Sequence, residues 1–366
     1  MSSTDAGSYG EIVLRLVHAE SERARAGLEL AELCRPEIAA TVARLEAGAA
    51  LYSTLRKSGE LDRVPASLLA TIRAEHASNQ AIALELEAAA RELSRAFATE
   101  AIPLGFLKGA VLLERGLLRD PGARLTCDLD LLTLSSDRER VLALLDALGF
   151  VSIGYGGAPK HLVGRRRGRV LVEVHEYAYW SADGAPQTLT ELLREEDSLA
   201  FTAVHLVHHL LVNSWVEPWL VFKTISDFRS IGLALAASPA LAVRTFELAR
   251  RAGLLVEMGA LLGVAESVAT GAPIASCDRW LVDSIATEHA SRGRKQLEYL
   301  ARSFLRAPRW YLQDLVREAL LPSRSTMEII HGLEPGSRWV YAAYAARPVR
   351  LAWRALEKAR GKGTPR

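Results

Sequence analysis

The most constraining feature of the chain is the run Cys127-Asp128-Leu129-Asp130-Leu131-Leu132, in which two aspartates lie two residues apart among leucines. In a β-strand, residues i and i+2 point to the same face of the sheet. The run therefore predicts a strand that buries Leu129 and Leu131 and projects Asp128 and Asp130 together from the opposite face. Two like charges held side by side repel each other unless a cation lies between them. Carboxylate oxygens suit a hard ion such as Mg²⁺.

A third acid lies in a second alternating run, Val170-Leu171-Val172-Glu173-Val174-His175. The valines share one face of a predicted strand, and Glu173 and His175 share the other. If the two strands pair, three carboxylates can hold two divalent ions roughly 3.5–4 Å apart. Asp128 and Asp130 would then bridge both ions, and Glu173 would bind the ion that activates the nucleophile or act as its base. Two interpretations of His175 stay open: it orients the substrate, or it is a neutral, hydrogen-bonded group at the edge of the site.

Residues before the aspartates indicate a phosphate-binding turn. Gly109 lies where a predicted strand gives way to a helix, so the backbone can approach a triphosphate closely and the helix offers free N–H groups. Lys108 adds a positive charge for the phosphates, and Ala110 leaves backbone donors alone at this turn because it has no hydroxyl. Arg124 either clamps a phosphate oxygen through two hydrogen bonds or forms a structural salt bridge with an aspartate.

The spacing of apolar residues divides the chain into three predicted regions, 1–100, 101–187 and 188–366. The first and third have helical periodicity, with breaks in the first at 58–60 and at Pro65. The middle region has short apolar runs at 102–106, 128–132, 149–153 and 170–174, a helix at 136–148 and a hairpin tip at 164–168. In the third region the clearest helical stretches are 205–209, 221–231, 240–252 and 338–360. The fold class predicted is α+β, with a small mixed sheet flanked by N-terminal and C-terminal helical regions.

Composition excludes several classes of protein. Lys and Arg number 45 against 43 Asp and Glu, whereas a dedicated nucleic-acid binder is usually more basic. The three cysteines have neither metal-ligand spacing nor a disulfide framework, and the first residues do not have the pattern of a signal peptide. The sequence also lacks an uninterrupted apolar run of about 18 residues. We therefore expect a cytoplasmic protein with no membrane span.

Three polar groups have competing interpretations. His205 and His209 are spaced i, i+4, which suits zinc, but no carboxylate lies between them, so packed helix histidines are favoured. Lys223 and Asp227 have the same spacing, which favours a local ion pair. The cluster Arg165-Arg166-Arg167-Gly168-Arg169 is either a solvated loop or a group that steers an anionic substrate.

The order of four short motifs resembles the bacterial uncharacterised nucleotidyltransferase family, within the DNA polymerase beta-like superfamily. The motifs are Leu-Lys-Gly-Ala at 107–110, Asp-Pro-Gly-x-Arg at 120–124, Asp-Leu-Asp-Leu-Leu at 128–132 and Val-Glu-Val-His at 172–175. The resemblance covers roughly residues 95 to 235. It implies Mg²⁺, a nucleoside triphosphate such as ATP, and three metal-binding carboxylates at Asp128, Asp130 and Glu173. By analogy it also gives Lys223 and Asp227 contacts with the nucleotide.

Two functional hypotheses follow from these residues and this resemblance. The first is a metal-dependent nucleotidyltransferase that moves an NMP group from a nucleoside triphosphate to an unknown acceptor and releases pyrophosphate. That acceptor is a small molecule, a protein or an RNA. The second is a catalytically inactive nucleotidyltransferase-fold module that binds a nucleotide or a protein or peptide partner. Metal-dependent nucleotide binding distinguishes the two.

Overall fold

The structure is a computed structural model that describes residues 3–18, 35–153, 164–195, 197–213, 218–286, 337–347 and 349. The described residues of the N-terminal part are mainly helical, as predicted. They form α1 (Ser3–His18), α2 (Pro36–Arg44), α3 (Gly48–Ser58), a 3-10 turn (Leu61–Arg63) and α4 (Ala66–Thr99). Both predicted breaks are confirmed. Gly59 ends α3 in the left-handed region at φ +73°, a conformation that glycine adopts without strain. Pro65 directly precedes α4.

A five-stranded mixed sheet follows α4, which confirms the predicted α+β class. Its strands lie in the order β1-β2-β5-β4-β3, and β2 and β5 are parallel while the other pairs are antiparallel. The strands are β1 (Gly105–Phe106), β2 (Asp128–Leu132), β3 (Val151–Ser152), β4 (Arg165–Arg167) and β5 (Val170–His175). α5 (Lys108–Glu114) follows β1, and α6 (Arg138–Ala147) lies between β2 and β3.

The described residues of the C-terminal part are again mainly helical. After the two-stranded sheet of β6 (Tyr179–Trp180) and β7 (Pro186–Gln187) come α7 (Leu189–Glu195), α8 (Ser198–Asn213), α9 (Pro218–Ala237), α10 (Pro239–Ala252), α11 (Leu255–Thr270) and α12 (Arg279–Ala286). The predicted stretches 205–209, 221–231 and 240–252 lie in α8, α9 and α10. The predicted helix 338–360 is helical at 339–347, and most of its remainder lies outside the described residues.

The two faces of the central strands have different environments. Leu129, Leu131 and Val172 are fully buried in a cluster that includes apolar residues of α4 and α6. Burying each such side chain contributes about 1.5–3 kcal/mol. A one-residue slip of β2 would turn its aspartates into this apolar cluster. The core therefore fixes which face the acids occupy.

The predicted hairpin tip at 164–168 is wrong by a few residues. Arg165–Arg167 form β4, and the turn to β5 is made by Gly168 and Arg169, with Gly168 in the left-handed region at φ +58°. Arginines of this hairpin form ion pairs with carboxylates of α4 and α6: Arg165 with Asp146, Arg167 with Glu92 and Arg169 with Glu85. Because these pairs offset the cluster's charge, they weaken its interpretation as a steering group.

One large hydrophobic cluster draws on residues from all three predicted regions, including Val13 of α1, Val111 of α5 and Phe228 of α9. The division at residues 100 and 187 stays a prediction. Within the part of the chain that the structure describes, no helix combines the length and the apolar character needed to cross a membrane.

Candidate active site

The parallel pairing of β2 with β5 brings the predicted acids together. Asp130 lies opposite Glu173 in the register, Asp128 opposite Leu171, and Leu132 opposite His175. Residues opposite each other in a parallel pair share a face, as do residues two apart along one strand. Asp128, Asp130, Glu173 and His175 therefore project from one face of the sheet, on the side away from the buried Leu129 and Leu131.

Asp130 is the buried centre of this group. Its Oδ1 atom lies 2.6 Å from Lys108 Nζ and 2.7 Å from His175 Nε2, and its side chain is almost completely shielded from solvent. Burial alone would raise the pKa of Asp130, but the Lys108 charge and the hydrogen bond with His175 hold that pKa well below its usual range. Asp130 is thus a carboxylate held in its charged form.

Asp128 has the opposite electrostatic environment. Burial and the neighbouring Asp130 carboxylate raise its pKa, and the charges of Lys108, Lys223 and Arg124 offset that rise only in part. The charged form of Asp128 is therefore disfavoured by its surroundings. A cation beside this face would relieve that repulsion.

The donor set fits a divalent metal ion. Asp130, Glu173 and His175 each offer one ligand atom, and these atoms lie within 4.8 Å of one another. Across the described ranges, no other group of three such side chains meets this spacing. Carboxylate oxygens are the donors that Mg²⁺ prefers, and the imidazole is a donor for transition metals or an outer partner that orients a carboxylate.

Lys108 approaches this site from a strained backbone. It is the first residue of α5, and its φ angle of +48° lies in the left-handed region, which costs a non-glycine residue about 1–2 kcal/mol. The backbone N–H of Leu107 donates to the carbonyl of Asp130 over 3.0 Å, so the start of α5 is fixed against β2. This geometry places the Lys108 ammonium on the acidic face.

Arg124 forms a buried ion pair with Asp227 of α9. Its Nε and Nη2 atoms donate to the two carboxylate oxygens over 2.6 and 2.8 Å, and its Nη1 donates to Thr126 Oγ1 over 2.6 Å. A Cβ at Gly109 would lie 2.6 Å from Arg124 Nη1. Of the two interpretations of Arg124, the structural salt bridge is the one that its contacts match. The guanidinium of Arg124 also fills the space beside Gly109.

The predicted local ion pair between Lys223 and Asp227 is wrong, because the Asp227 carboxylate accepts from Arg124. The Lys223 ammonium lies 5.4 Å from the centroid of the Trp219 ring. Burial and the Arg124 charge lower the pKa of Lys223, while the Asp128 carboxylate opposes that change. The charge of Lys223 is thus coupled to Arg124 and to Asp128 of the acidic face.

The helix histidines are packed beside the acidic face. His175 and His205 are fully buried, with ring centroids 6.1 Å apart in an edge-on arrangement. Among the described residues, no group with metal-ligand spacing includes His205 or His209. This agrees with the packed-histidine interpretation. Ala110 is also buried and contributes to the apolar cluster beneath the sheet.

Sequence reasoning missed a network that holds the Asp-Pro-Gly turn at residues 120–122. Asp120 accepts hydrogen bonds from Ser53 of α3 and Arg56, and His76 Nε2 of α4 lies 2.9 Å from its Oδ1. A Cβ at Gly122 would lie 2.7 Å from the His76 ring, so this position requires glycine. A signal was present in the sequence, because His76 falls on the buried, otherwise apolar stripe of α4.

Comparison with known families gives one match. A family model described as "Uncharacterised nucleotidyltransferase" matches residues 35–231, which include α4, the whole five-stranded sheet and most of α9. Neither a curated protein nor a solved structure matches the chain.

Proposed function

Since the chain belongs to the uncharacterised nucleotidyltransferase family, we propose that it transfers a nucleotidyl group from a nucleoside triphosphate to an acceptor hydroxyl. Two Mg²⁺ ions at Asp128, Asp130 and Glu173 would support this reaction. The observation that carries the proposal is the register pairing of Asp130 with Glu173 on parallel strands. It gives three acids one face, although Glu173 follows Asp130 by 43 positions in the sequence.

The residues of the site have distinct roles in this proposal. The acceptor oxygen forms a bond to the α-phosphorus, the bond from that phosphorus to the bridging oxygen breaks, and pyrophosphate leaves with the electron pair. Glu173 is half-buried and takes the hydroxyl proton. Lys108 moves from Asp130 to the phosphates, where its ammonium offsets negative charge. Bound Mg²⁺ would supply charge neutralisation at the transferred phosphoryl group.

The remaining predicted contacts are part of the same proposal. Gly109 and Ala110 border the phosphates through the backbone, and His175 orients Asp130 through their hydrogen bond. Arg124, Lys223 and Asp227 lie at the Asp128 end of the face and contact the nucleotide or its partner substrate. We also propose a cytoplasmic location, because Cys127 and Cys277 are free thiols, which suits a reducing compartment.

One observation favours the second candidate function, an inactive module that binds a nucleotide without metal. The Lys108 ammonium already forms an ion pair with Asp130 over 2.6 Å. A fixed cation at that position can replace a metal charge and can attract a phosphate by itself. The two functions differ in whether divalent metal is required.

The deciding experiment measures thermal stability with a nucleoside triphosphate, with and without Mg²⁺. For the enzyme we expect a rise in Tm that requires both, and transfer of label from an α-labelled triphosphate to an acceptor in a cell extract. Asp130→Asn should remove both effects, while the exposed Asp62→Asn on a surface turn should keep them. A triphosphate-induced rise without Mg²⁺, together with no labelled product, would support the inactive module.

A further inference from the structure

A cavity of about 830 Å³ lies between the N-terminal helices and α9. Its walls come from α1, α3, the segment 116–125 and α9. Asp128, Asp130 and Glu173 are not among its lining residues. The cavity is large enough for a small organic molecule.

The lining of the cavity carries more positive than negative side chains. The cations are Lys57, Arg119, Arg124, Lys223 and Arg229, and the anions are Glu46, Asp120 and Asp227. Two of these carboxylates already have partners, since Asp227 binds Arg124 and Asp120 binds His76 and Arg56. Within the described ranges, Lys57, Arg119 and Lys223 form no ion pair. The cavity therefore attracts an anion.

Part of the wall is apolar. Leu117, Leu118, Leu125, Trp219 and Phe222 all line the cavity. Most ligand sites combine such a wall with a few polar groups that fix the orientation of the ligand. The cavity thus suits a molecule that has an anionic group and an apolar or aromatic body.

Two side chains of the cavity wall also act on the acidic face. Arg124 and Lys223 line the cavity, and both act electrostatically on the Asp128 carboxylate. Asp128 is the first residue of β2. Of the three acids it is therefore the nearest in sequence to Leu125, which lines the cavity. The charges of the cavity wall and the Asp128 carboxylate are therefore coupled.

We infer that this cavity binds the acceptor, which is a small anionic molecule carrying a phosphate or carboxylate beside an apolar body. The role of this ligand as acceptor rests on the proposed nucleotidyl transfer. The binding of such an anion does not depend on that proposal. The nucleotide phosphates lie at Lys108 and the acids, and the acceptor approaches from the opposite side of Asp128. The N-terminal helices thereby form part of the substrate site.

The binding experiment uses phenyl phosphate as the probe, with inorganic phosphate and benzyl alcohol for its separate parts, and ligand-observed NMR as the readout. We expect phenyl phosphate to bind at least about tenfold more tightly than either part, because the charge and the apolar wall act together. Lys57→Glu/Arg119→Glu should weaken this binding by about tenfold or more. Arg63→Glu/Arg91→Glu, a charge-matched pair on exposed positions outside the cavity, should leave it unchanged.

Two further arms separate the cavity from the nucleotide site. Asp128→Asn/Asp130→Asn should retain phenyl phosphate binding, and Lys57→Glu/Arg119→Glu should retain the Mg²⁺-dependent Tm rise with triphosphate. Equal binding of phenyl phosphate and benzyl alcohol would overturn the inference. So would unchanged binding in Lys57→Glu/Arg119→Glu, or displacement of phenyl phosphate by Mg²⁺ and ATP, because the cavity would then belong to the nucleotide.

The transfer arm tests the identity of the ligand as the acceptor. The small-molecule fraction of a cell extract is divided by anion exchange before it is incubated with enzyme, Mg²⁺ and labelled triphosphate. We expect labelled product from the retained, anionic pool, and less product with Lys57→Glu/Arg119→Glu at limiting pool concentration. Product from the unretained pool alone would overturn the inference. Absence of transfer from both pools, with phenyl phosphate binding intact, would instead overturn the proposed function and leave the anion site.

Discussion

At the scale of single residues, Asp128 and Asp130 differ sharply although they share a face and a strand. Asp130 is held as a carboxylate by Lys108 and His175, whereas burial and Asp130 raise the pKa of Asp128. The proposed cation-dependent function would account for a chain that keeps the disfavoured Asp128 charge, since functional sites often reduce stability. The two positions therefore respond differently to loss of charge.

We expect Asp128→Asn to raise the Tm of the metal-free protein by about 1–2 °C, because it removes a repulsion of about 1 kcal/mol while keeping the size of the side chain. The same variant should reduce nucleotidyl transfer on the order of 10³-fold. Differential scanning calorimetry in EDTA and the labelled-transfer assay measure the two effects. A lower Tm in EDTA would contradict the repulsion argument, and Asp62→Asn is the control for a surface change.

The Arg124–Asp227 ion pair gives a second prediction at this scale. Both side chains are buried, so Arg124→Met or Asp227→Leu alone leaves an uncompensated charge and should lower the free energy of unfolding by about 3–5 kcal/mol. The double variant should lose much less than the sum of the two. Urea unfolding of all four proteins measures the coupling, and strictly additive losses would show that the pair does not act as a unit.

At the scale of elements, β2 and β5 were predicted closely from sequence, because alternation of apolar and acidic residues is a local signal. The run 128–132 is a strand from end to end, and β5 extends through His175. The predicted strands at 102–106 and 149–153 are reduced to two residues each, since apolar character alone does not give a strand a hydrogen-bonding partner.

The contacts between elements were the part that sequence patterns predicted least well. The i, i+4 rule describes a helix in isolation, yet Asp227 binds a residue 103 positions away. The Asp120 network joins α3 and α4 to a turn in the same manner. The acidic face was predictable because two strand patterns define it. The cavity was not, because it depends on helices that come together only in the folded protein.

The contact of α1 with α9 gives a pH prediction. Burial and the Arg229 charge lower the pKa of His18 to about 3. The Nε2 atom of His18 lies 2.9 Å from Ser226 Oγ. The folded protein keeps His18 neutral, while the unfolded chain binds a proton near pH 6.5. The stability associated with His18 is therefore complete above about pH 6.5 and is lost as pH falls toward 3.

As the pH falls from 7 to 5, we expect protonation of His18 in the unfolded chain to lower the free energy of unfolding by about 2 kcal/mol. In His18→Gln that part of the pH dependence should be absent, although the variant itself is less stable at pH 7. Urea unfolding at several pH values gives the two slopes. The same slope in both proteins would mean that His18 is not the group responsible.

At the scale of the whole molecule, the sheet depends on helices from both flanking regions. Leu86, Leu93 and Phe97 of α4 cover the apolar face, while Val204 of α8 and Phe228 of α9 belong to the larger hydrophobic cluster that includes Leu132. The predicted division at 100 and 187 describes how elements follow one another along the chain. The packing shows why such a boundary, drawn from local periodicity, carries no information on which segments share a core.

We expect the fragment 101–187 by itself to lack a cooperative unfolding transition, because it would expose the apolar face that α4 covers. Circular dichroism melting and limited proteolysis of the fragment, compared with the full chain, measure this. A sharp transition together with protease resistance would show that the middle region folds independently and that the packing of α4 is dispensable.

The left-handed backbone of Lys108 has a consequence for engineering. Glycine or asparagine would relieve about 1–2 kcal/mol of backbone strain at a position with φ +48°. Either residue would also leave the buried Asp130 carboxylate without its ammonium partner at 2.6 Å, which costs more. Random mutagenesis screened for heat resistance should therefore keep lysine at this codon. A library that returned glycine among its most heat-resistant members would show that the strained backbone outweighs the ion pair.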